Sequence, residues 1–210
     1  MNFMELKTRV QMRLGDPSGM RFSDVLVEQA VRQTLDAYSL ALPRHLECET
    51  QVTVDGAVQE VPTTGGVLNV IRVEYPAGFD RPDVWMVTSA AGLTLTFGGR
   101  PFPQMGSRLR VEYTAAHALA GLNGEEDSTV NPAHEQLLSE GAAAAACLLR
   151  AAVLAEIPNR RAEELEHLTA QGREGWLGYM GVLAAIRRTA CPAQPLPAAG
   201  WGTAGELCVR

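Results

Sequence analysis

The sequence predicts an α+β protein: two α-helical hairpins with an inserted antiparallel β subdomain, a small sandwich or barrel, and an extended C-terminal tail. Three observations predict it. Apolar residues recur every three or four positions up to Pro43 and again after Asn131; the spacing falls to two between those segments; and Pro192, Pro195 and Pro197 break any regular pattern after residue 189. The parts are an N-terminal hairpin over 1–46, the β subdomain over 47–115, a linker over 116–130, a C-terminal hairpin over 131–189 that packs with 1–46, and the tail over 190–210.

In the first hairpin, Phe3, Leu6, Val10 and Leu14 line one helical face while Glu5, Lys7, Arg9 and Arg13 occupy the other. The run Leu14-Gly15-Asp16-Pro17-Ser18-Gly19 stops that helix. Ser23 then caps a second helix, Asp24 sits at the positive end of its dipole, and Val27, Val31, Leu35, Tyr38 and Leu42 continue one apolar stripe to Pro43.

Strands are expected where Val52 and Val54, Ile71, Val73 and Tyr75, Leu93, Leu95 and Phe97, and Leu109, Val111 and Tyr113 alternate with polar neighbours, with further strands over 58–61 and 84–88. Asp55-Gly56, Gly65-Gly66, Ala91-Gly92 and Gly98-Gly99 supply turns. Residues 115–130 turn to Gly, Asn, Glu and Asp, a solvated return. Asn131 and Pro132 then open a helix expected to run to about Ile157, before Pro158. In the last helix Leu165, Leu168, Gly172, Trp176, Tyr179, Leu183 and Ile186 are three or four apart, with acids near its start and Arg187 and Arg188 near its end.

Small residues mark this second hairpin. One helix carries five consecutive alanines, Ala142 to Ala146, and Gly172, Gly175, Gly178 and Gly181 recur in the other, although each interior Gly costs about 1 kcal/mol relative to Ala. Either these glycines let backbones approach closely, partly between subunits, or the helix breaks near Gly175. On the first reading Ala143, Ala146, Gly175 and Gly178 are subunit-interface residues.

Composition narrows the function classes. A chain of 210 residues that is 46% hydrophobic can bury a sizeable core. The apolar runs at 142–149 and 182–186 fall short of the ~20 residues of a membrane span, and the N-terminus lacks a basic stretch followed by an apolar one. Neither a transmembrane helix nor a secretory signal is expected, which places the chain in a cytoplasm. A net charge of -6 argues against a free-standing nucleic-acid binder.

Cys48, Cys147, Cys191 and Cys208 are scattered, without C-x-x-C or a neighbouring His at ligand spacing, and read as reduced thiols. His45 and His134 fall at helix ends, His117 in the linker and His167 on a charged helix face, and no pair is four apart. No nucleophile elbow or phosphate-cradling glycine motif is present. Glu125, Glu126 and Asp127 lack the alternating spacing of a calcium loop. Trp85 and Trp176 occupy core-compatible positions. The chain is therefore expected not to be an enzyme, with no catalytic, cofactor-binding or metal site.

The tail is different in kind. Leu196, Trp201, Leu207 and Val209 are apolar side chains that so short a segment cannot bury against itself, so they are expected to anchor in a partner.

The opening Leu14-Gly15-Asp16-Pro17-Ser18-Gly19 turn, followed by Arg21-Phe22-Ser23-Asp24 and a helix carrying Leu35 and Tyr38, resembles the N-terminal hairpin of tailed-bacteriophage head-to-tail connector adaptors. The resemblance covers the first 45 residues and, more loosely, residues 131–188; a sheet insertion occurs in only some members. It implies a structural ring of about twelve copies beneath the portal protein, extending the DNA channel and joining the capsid to a neck or tail protein. It further implies that the C-terminal segment docks on the portal, that the genome passes without sequence-specific binding, and that the protein is a virion component assembled in the host bacterial cytoplasm. The competing expectation is a virion or surface β-module in which residues 47–114 bind a ligand or receptor.

Overall fold

The structure, a computed structural model, describes residues 1–89, 92–157 and 162–190. The four anchor residues expected in the tail, Leu196, Trp201, Leu207 and Val209, lie outside the described residues, as do Cys191 and Cys208. The fold is α+β, and the chain divides into two compact units: Met1–Leu42 with His117–Ala190, and Pro43–Ala116.

The first unit is helical: α1 (Phe3–Arg13), α2 (Asp24–Ala41), a 3-10 turn (Pro132–His134), α3 (Glu135–Ala155) and α4 (Ala162–Ala190). Its helices begin where the chemistry favours it. Asn2 accepts from the Glu5 amide and Glu5 answers with a bond to the Asn2 amide, a complete capping box; Ser23 accepts from the Leu26 amide to start α2. Leu6, Val10, Val27, Val31, Leu35 and Tyr38 from the first hairpin meet Leu138, Ala142, Ala146, Leu168, Tyr179 and Leu183 from the second in one core.

The turn between α1 and α2 is organised by one buried carboxylate. Asp16 Oδ2 accepts from the amides of Arg21 and Phe22, both at 2.7 Å, and Oδ1 accepts from the Met20 amide at 3.1 Å. These bonds, the Phe22 one foremost, hold the carboxyl below its usual range. The same turn buries Phe22.

One expectation about this unit is corrected. Residues 116–130 are not solvated throughout: Glu125, Glu126 and Asp127 are exposed, but Leu119, Leu122 and Val130 are buried in the helical core, and the Phe3 amide donates to the Ala120 carbonyl at 2.8 Å. Their Gly, Asn and acidic neighbours make the turns, so average composition concealed three separate apolar anchors. The helix over Pro132–Ala155 is also long and apolar enough to cross a membrane by length and composition, which a search for unbroken apolar runs misses because Ser139, Glu140 and Arg150 interrupt it. Here it is the central helix of the unit, with 67% of that apolar window buried. The last helix continues through Gly175 to Ala190 without a break.

The second unit contains β1 (Arg44–Gln51), β2 (Val58–Val61), β3 (Val67–Glu74), β4 (Val84–Ser89), β5 (Gly92–Phe97) and β6 (Arg108–Ala115). They form two antiparallel three-stranded sheets, β1-β6-β3 and β2-β5-β4, around Val52, Val61, Val73, Leu93, Leu95, Leu109 and Val111. The first strand lies earlier than the alternation at Val52 and Val54 predicts, so the helical hairpin ends at Leu42 and His45 is a strand residue rather than a helix-end one. Its outward side chains are polar, and its pairing with β6 sets Glu47 beside Arg110 at 2.7 Å and Glu49 beside Arg108 at 3.1 Å. The inward side is weakly apolar, with only Leu46 and Cys48 packed against the core, and cross-strand ion pairs add to the ladder bonds.

Trp85 is likewise not a core residue: it is 63% exposed. Its neighbour Met86 pairs with the fully buried Leu95, which fixes Trp85 on the outer face. Trp176, by contrast, is half-buried against the helical core and tilts onto Tyr179 with ring centroids 5.3 Å apart. In the β unit, Arg81 grips Asp83 through two bonds of 2.9 Å, donates to the carbonyls of Gly99 and Pro101 at 2.7 Å, and stacks over Phe97. The Arg81 guanidinium pulls the Asp83 carboxyl down to about 2.

A pH dependence follows from Asp16. Its folded carboxyl titrates below its usual value of 3.8, so its contribution to stability is present above that pH and is lost as pH falls through the lower folded value. Asp16→Ala is expected to lower Tm at neutral pH, with wild type and variant converging in acid. Thermal unfolding followed by circular dichroism between about pH 7 and about pH 2 checks both parts.

Candidate functional site

Small residues shape the one surface feature of the helical unit that the sequence singles out. A Cβ added at Gly172 would come within 2.7 Å of the Leu148 side chain, one at Gly175 within 2.9 Å of the Ala144 methyl, and one at Gly141 within 2.8 Å of the rings and methyls of Tyr179 and Thr34. Those distances are shorter than side-chain atoms tolerate, so α3 and α4 touch at a separation only glycine permits. The Tyr179 hydroxyl then reaches across to donate to the Thr34 carbonyl at 2.8 Å, tying α4 to α2. Burial pushes that hydroxyl up, so it stays protonated as a donor.

Between the end of α1 and the facing sides of α3 and α4 this leaves a groove of about 420 Å³. Leu14, Ala143, Ala144, Gly175, Tyr179 and Val182 form its apolar floor and walls, with Arg13 and Glu140 paired at 3.2 Å on the rim. Cys147 also borders it, but burial raises its thiol, which leaves it protonated and poorly nucleophilic. An apolar trough with a paired rim can accept an aliphatic or aromatic side chain.

The sequence-derived interface residues divide here. Ala143, Gly175 and Gly178 line the groove. Ala146 does not: it is 0% exposed, covered by its own chain, and even Ala143, which borders the groove, is buried. Gly175 serves the α3–α4 contact within the subunit, whereas Gly178 and Gly181 face open space. Leu177, Met180 and Val182 are exposed on the same helix. This outward face of α4 is the part of the small-residue pattern that the subunit itself does not use.

One cluster escaped the sequence reading. The Tyr38 hydroxyl is 2.8 Å from His134 Nδ1, and the Tyr38 ring meets the His117 ring edge-on with centroids 4.8 Å apart. His117 sets Nε2 2.8 Å from the Leu42 carbonyl and Nδ1 3.0 Å from the Thr129 carbonyl, while its amide donates to Ser39 Oγ at 2.9 Å. The ring thus joins the end of α2 to the returning segment at the point where the helical unit resumes. No local signal announces it, since its partners are distant backbone carbonyls. Among the described residues no group of three or more His, Cys, Asp or Glu converges as a metal-ligand set.

No protein-family model and no curated protein matches this chain.

The two glycines of the groove separate subunit folding from surface use. Gly175→Leu is expected to destabilise the helical unit by about 1–3 kcal/mol through overpacking against Ala144, readable as a lower urea midpoint. Gly178→Leu, whose side chain enters open space, is expected to leave that midpoint within about 1 kcal/mol of wild type, the glycine-to-leucine helix preference being the main term.

Proposed function

We propose that this chain is a structural head-to-tail adaptor of a tailed bacteriophage. About twelve copies would form a ring beneath the portal, extend the DNA channel, and join the capsid to the next neck or tail protein. The observation that carries this reading is the chain order: an opening hairpin with the Asp16-organised turn, an inserted β unit, and a second hairpin that completes the same helical unit. The exposed α4 face with Gly178, Leu177 and Val182 supports this reading as a surface for neighbouring copies.

Other features are compatible in chemistry. A net charge of -6 suits a channel wall along which DNA slides without phosphate anchoring. On this reading the partners are the portal protein, the other ring copies and a downstream neck or tail protein, with no membrane. The tail anchors Leu196, Trp201, Leu207 and Val209 would bind the portal, each weakly, and the multivalency of the ring would supply the affinity. The site of action would be the head–tail junction of the virion, after assembly in the host cytoplasm.

A second reading, a β-module that binds a ligand or receptor, draws on the exposed apolar side chains of the β unit, Phe79, Trp85 and Val87. It needs neither a ring nor a portal.

Native mass spectrometry of the chain alone and mixed with portal protein tests the adaptor reading. A ring on the portal is expected, weakened by Gly178→Leu at the subunit contacts and lost on truncation after Arg188, with Trp201→Ala weakening it in the same direction. Undiminished portal binding by the truncated chain would refute the role of the tail, and a chain that never associates with portal would refute the adaptor assignment.

A further inference from the structure

Among the described residues four strands end the two sheets of the β unit: β1 and β3 in one, β2 and β4 in the other. Such edges present unpaired amides and carbonyls, and proteins that remain single protect them with charge, brevity or bulges. Three of the four carry such protection. β1 bears Arg44, Glu47 and Glu49; β2 is four residues long and includes Glu60; β3 has two register shifts and carries Arg72 and Glu74.

β4 has none of it. Val84-Trp85-Met86-Val87-Thr88-Ser89 contains no charge and no proline, and its register with β5 runs from Val84↔Phe97 to Ser89↔Gly92 without a shift. On the outer face Trp85 is 63% and Val87 61% exposed. The Trp85 ring is also laid down in a fixed place, over Gly98, where any Cβ would run into the indole. An unshifted, uncharged edge with two large apolar side chains held outward is a pairing surface.

We infer that the free edge of β4 pairs antiparallel with β4 of a second copy of this chain. The strand is its own complement. A two-fold axis perpendicular to the sheet keeps outer faces together, so residues opposite one another must share a face, and a dyad at Met86 sets Trp85 opposite the second copy's Val87, twice. Each pair is aromatic against β-branched, the favourable cross-strand combination, and no like charges meet. The same self-pairing at β1 would oppose charged side chains. The contact lies in the β unit and does not rest on the adaptor reading; a two-fold contact also cannot close a ring of a dozen copies, so it is separate from the ring contact.

The test uses the full chain. Self-association is measured by sedimentation velocity for wild type and Val87→Lys, with the lysine expected to weaken it on the order of tenfold, because the symmetry doubles the loss of a cross-strand pair. In a background with Cys48, Cys191 and Cys208 changed to Ser, Met86→Cys is expected to give a disulfide-linked dimer under mild oxidation. Trp85→Cys, whose opposite residue is Val87, is not. If Val87→Lys does not fold by circular dichroism, the contrast between these two cysteine variants decides. A chain that stays monomeric, including one whose β4 is covered by a strand of another protein, overturns the inference. So does association that Val87→Lys leaves intact, or cross-linking that does not distinguish position 86 from position 85.

Discussion

The helical unit depends on how closely its central helix can be approached. Along α3 the residues from Gly141 to Ala146 present almost no side-chain bulk, and they are all buried. Bulk arrives instead from the neighbours: Tyr38 and Leu35 from α2, Leu6 and Val10 from α1, Tyr179 and Leu183 from α4. Small against large fills the space between helices at the density of a protein interior, while a uniformly large set would force the axes apart. Gly172 and Gly175 weaken α4 as an isolated helix, by about 1 kcal/mol each relative to Ala, and the close packing they permit against Ala144 and Leu148 offsets that cost.

Around that core, the polar groups are placed where the chain must turn. Asp16 satisfies three amides that the turn after α1 leaves without helical partners, and it does so from a nearly solvent-free position. The Ser39, Leu42, Thr129 and His117 contacts do the equivalent at the place where the chain leaves the helical unit and comes back. Because both ends of the inserted segment are secured by groups of the helical unit itself, that unit can close on its own residues. The β unit in turn has its own core, its own ion pairs on β1 and β6, and its own Arg81 clamp. Each unit has a hydrophobic core of its own.

Function, on the proposed reading, falls to surfaces rather than to a reaction centre. The groove beside α4 is apolar with a neutralised rim, its cysteine is held protonated by burial, and its tyrosine is occupied as a structural donor. The exposed α4 face and the β4 edge both leave large apolar side chains outward on regular backbone, and regular backbone makes a repeated contact between identical copies reproducible.

The sequence by itself determined the kinds and order of the elements. Caps at Asn131 and Ser23, the apolar stripe from Val27 to Tyr38 and the period-two runs at Leu93 and Leu109 are local signals, encoded within a few residues, and each element they announce is present. Tertiary structure decided the rest, because the deciding partners are far apart in the chain. Arg44 to Gln51 became a strand through its charges pairing with β6; Leu119, Leu122 and Val130 were drawn from an apparent linker into the core; Trp85 was turned outward by the burial of Leu95 opposite Met86; and Ala146 was enclosed while Gly178 was left open. Which side of a helix or strand remains free for another molecule depends on what the chain's own distant segments have already covered, and no local pattern of residues contains that information.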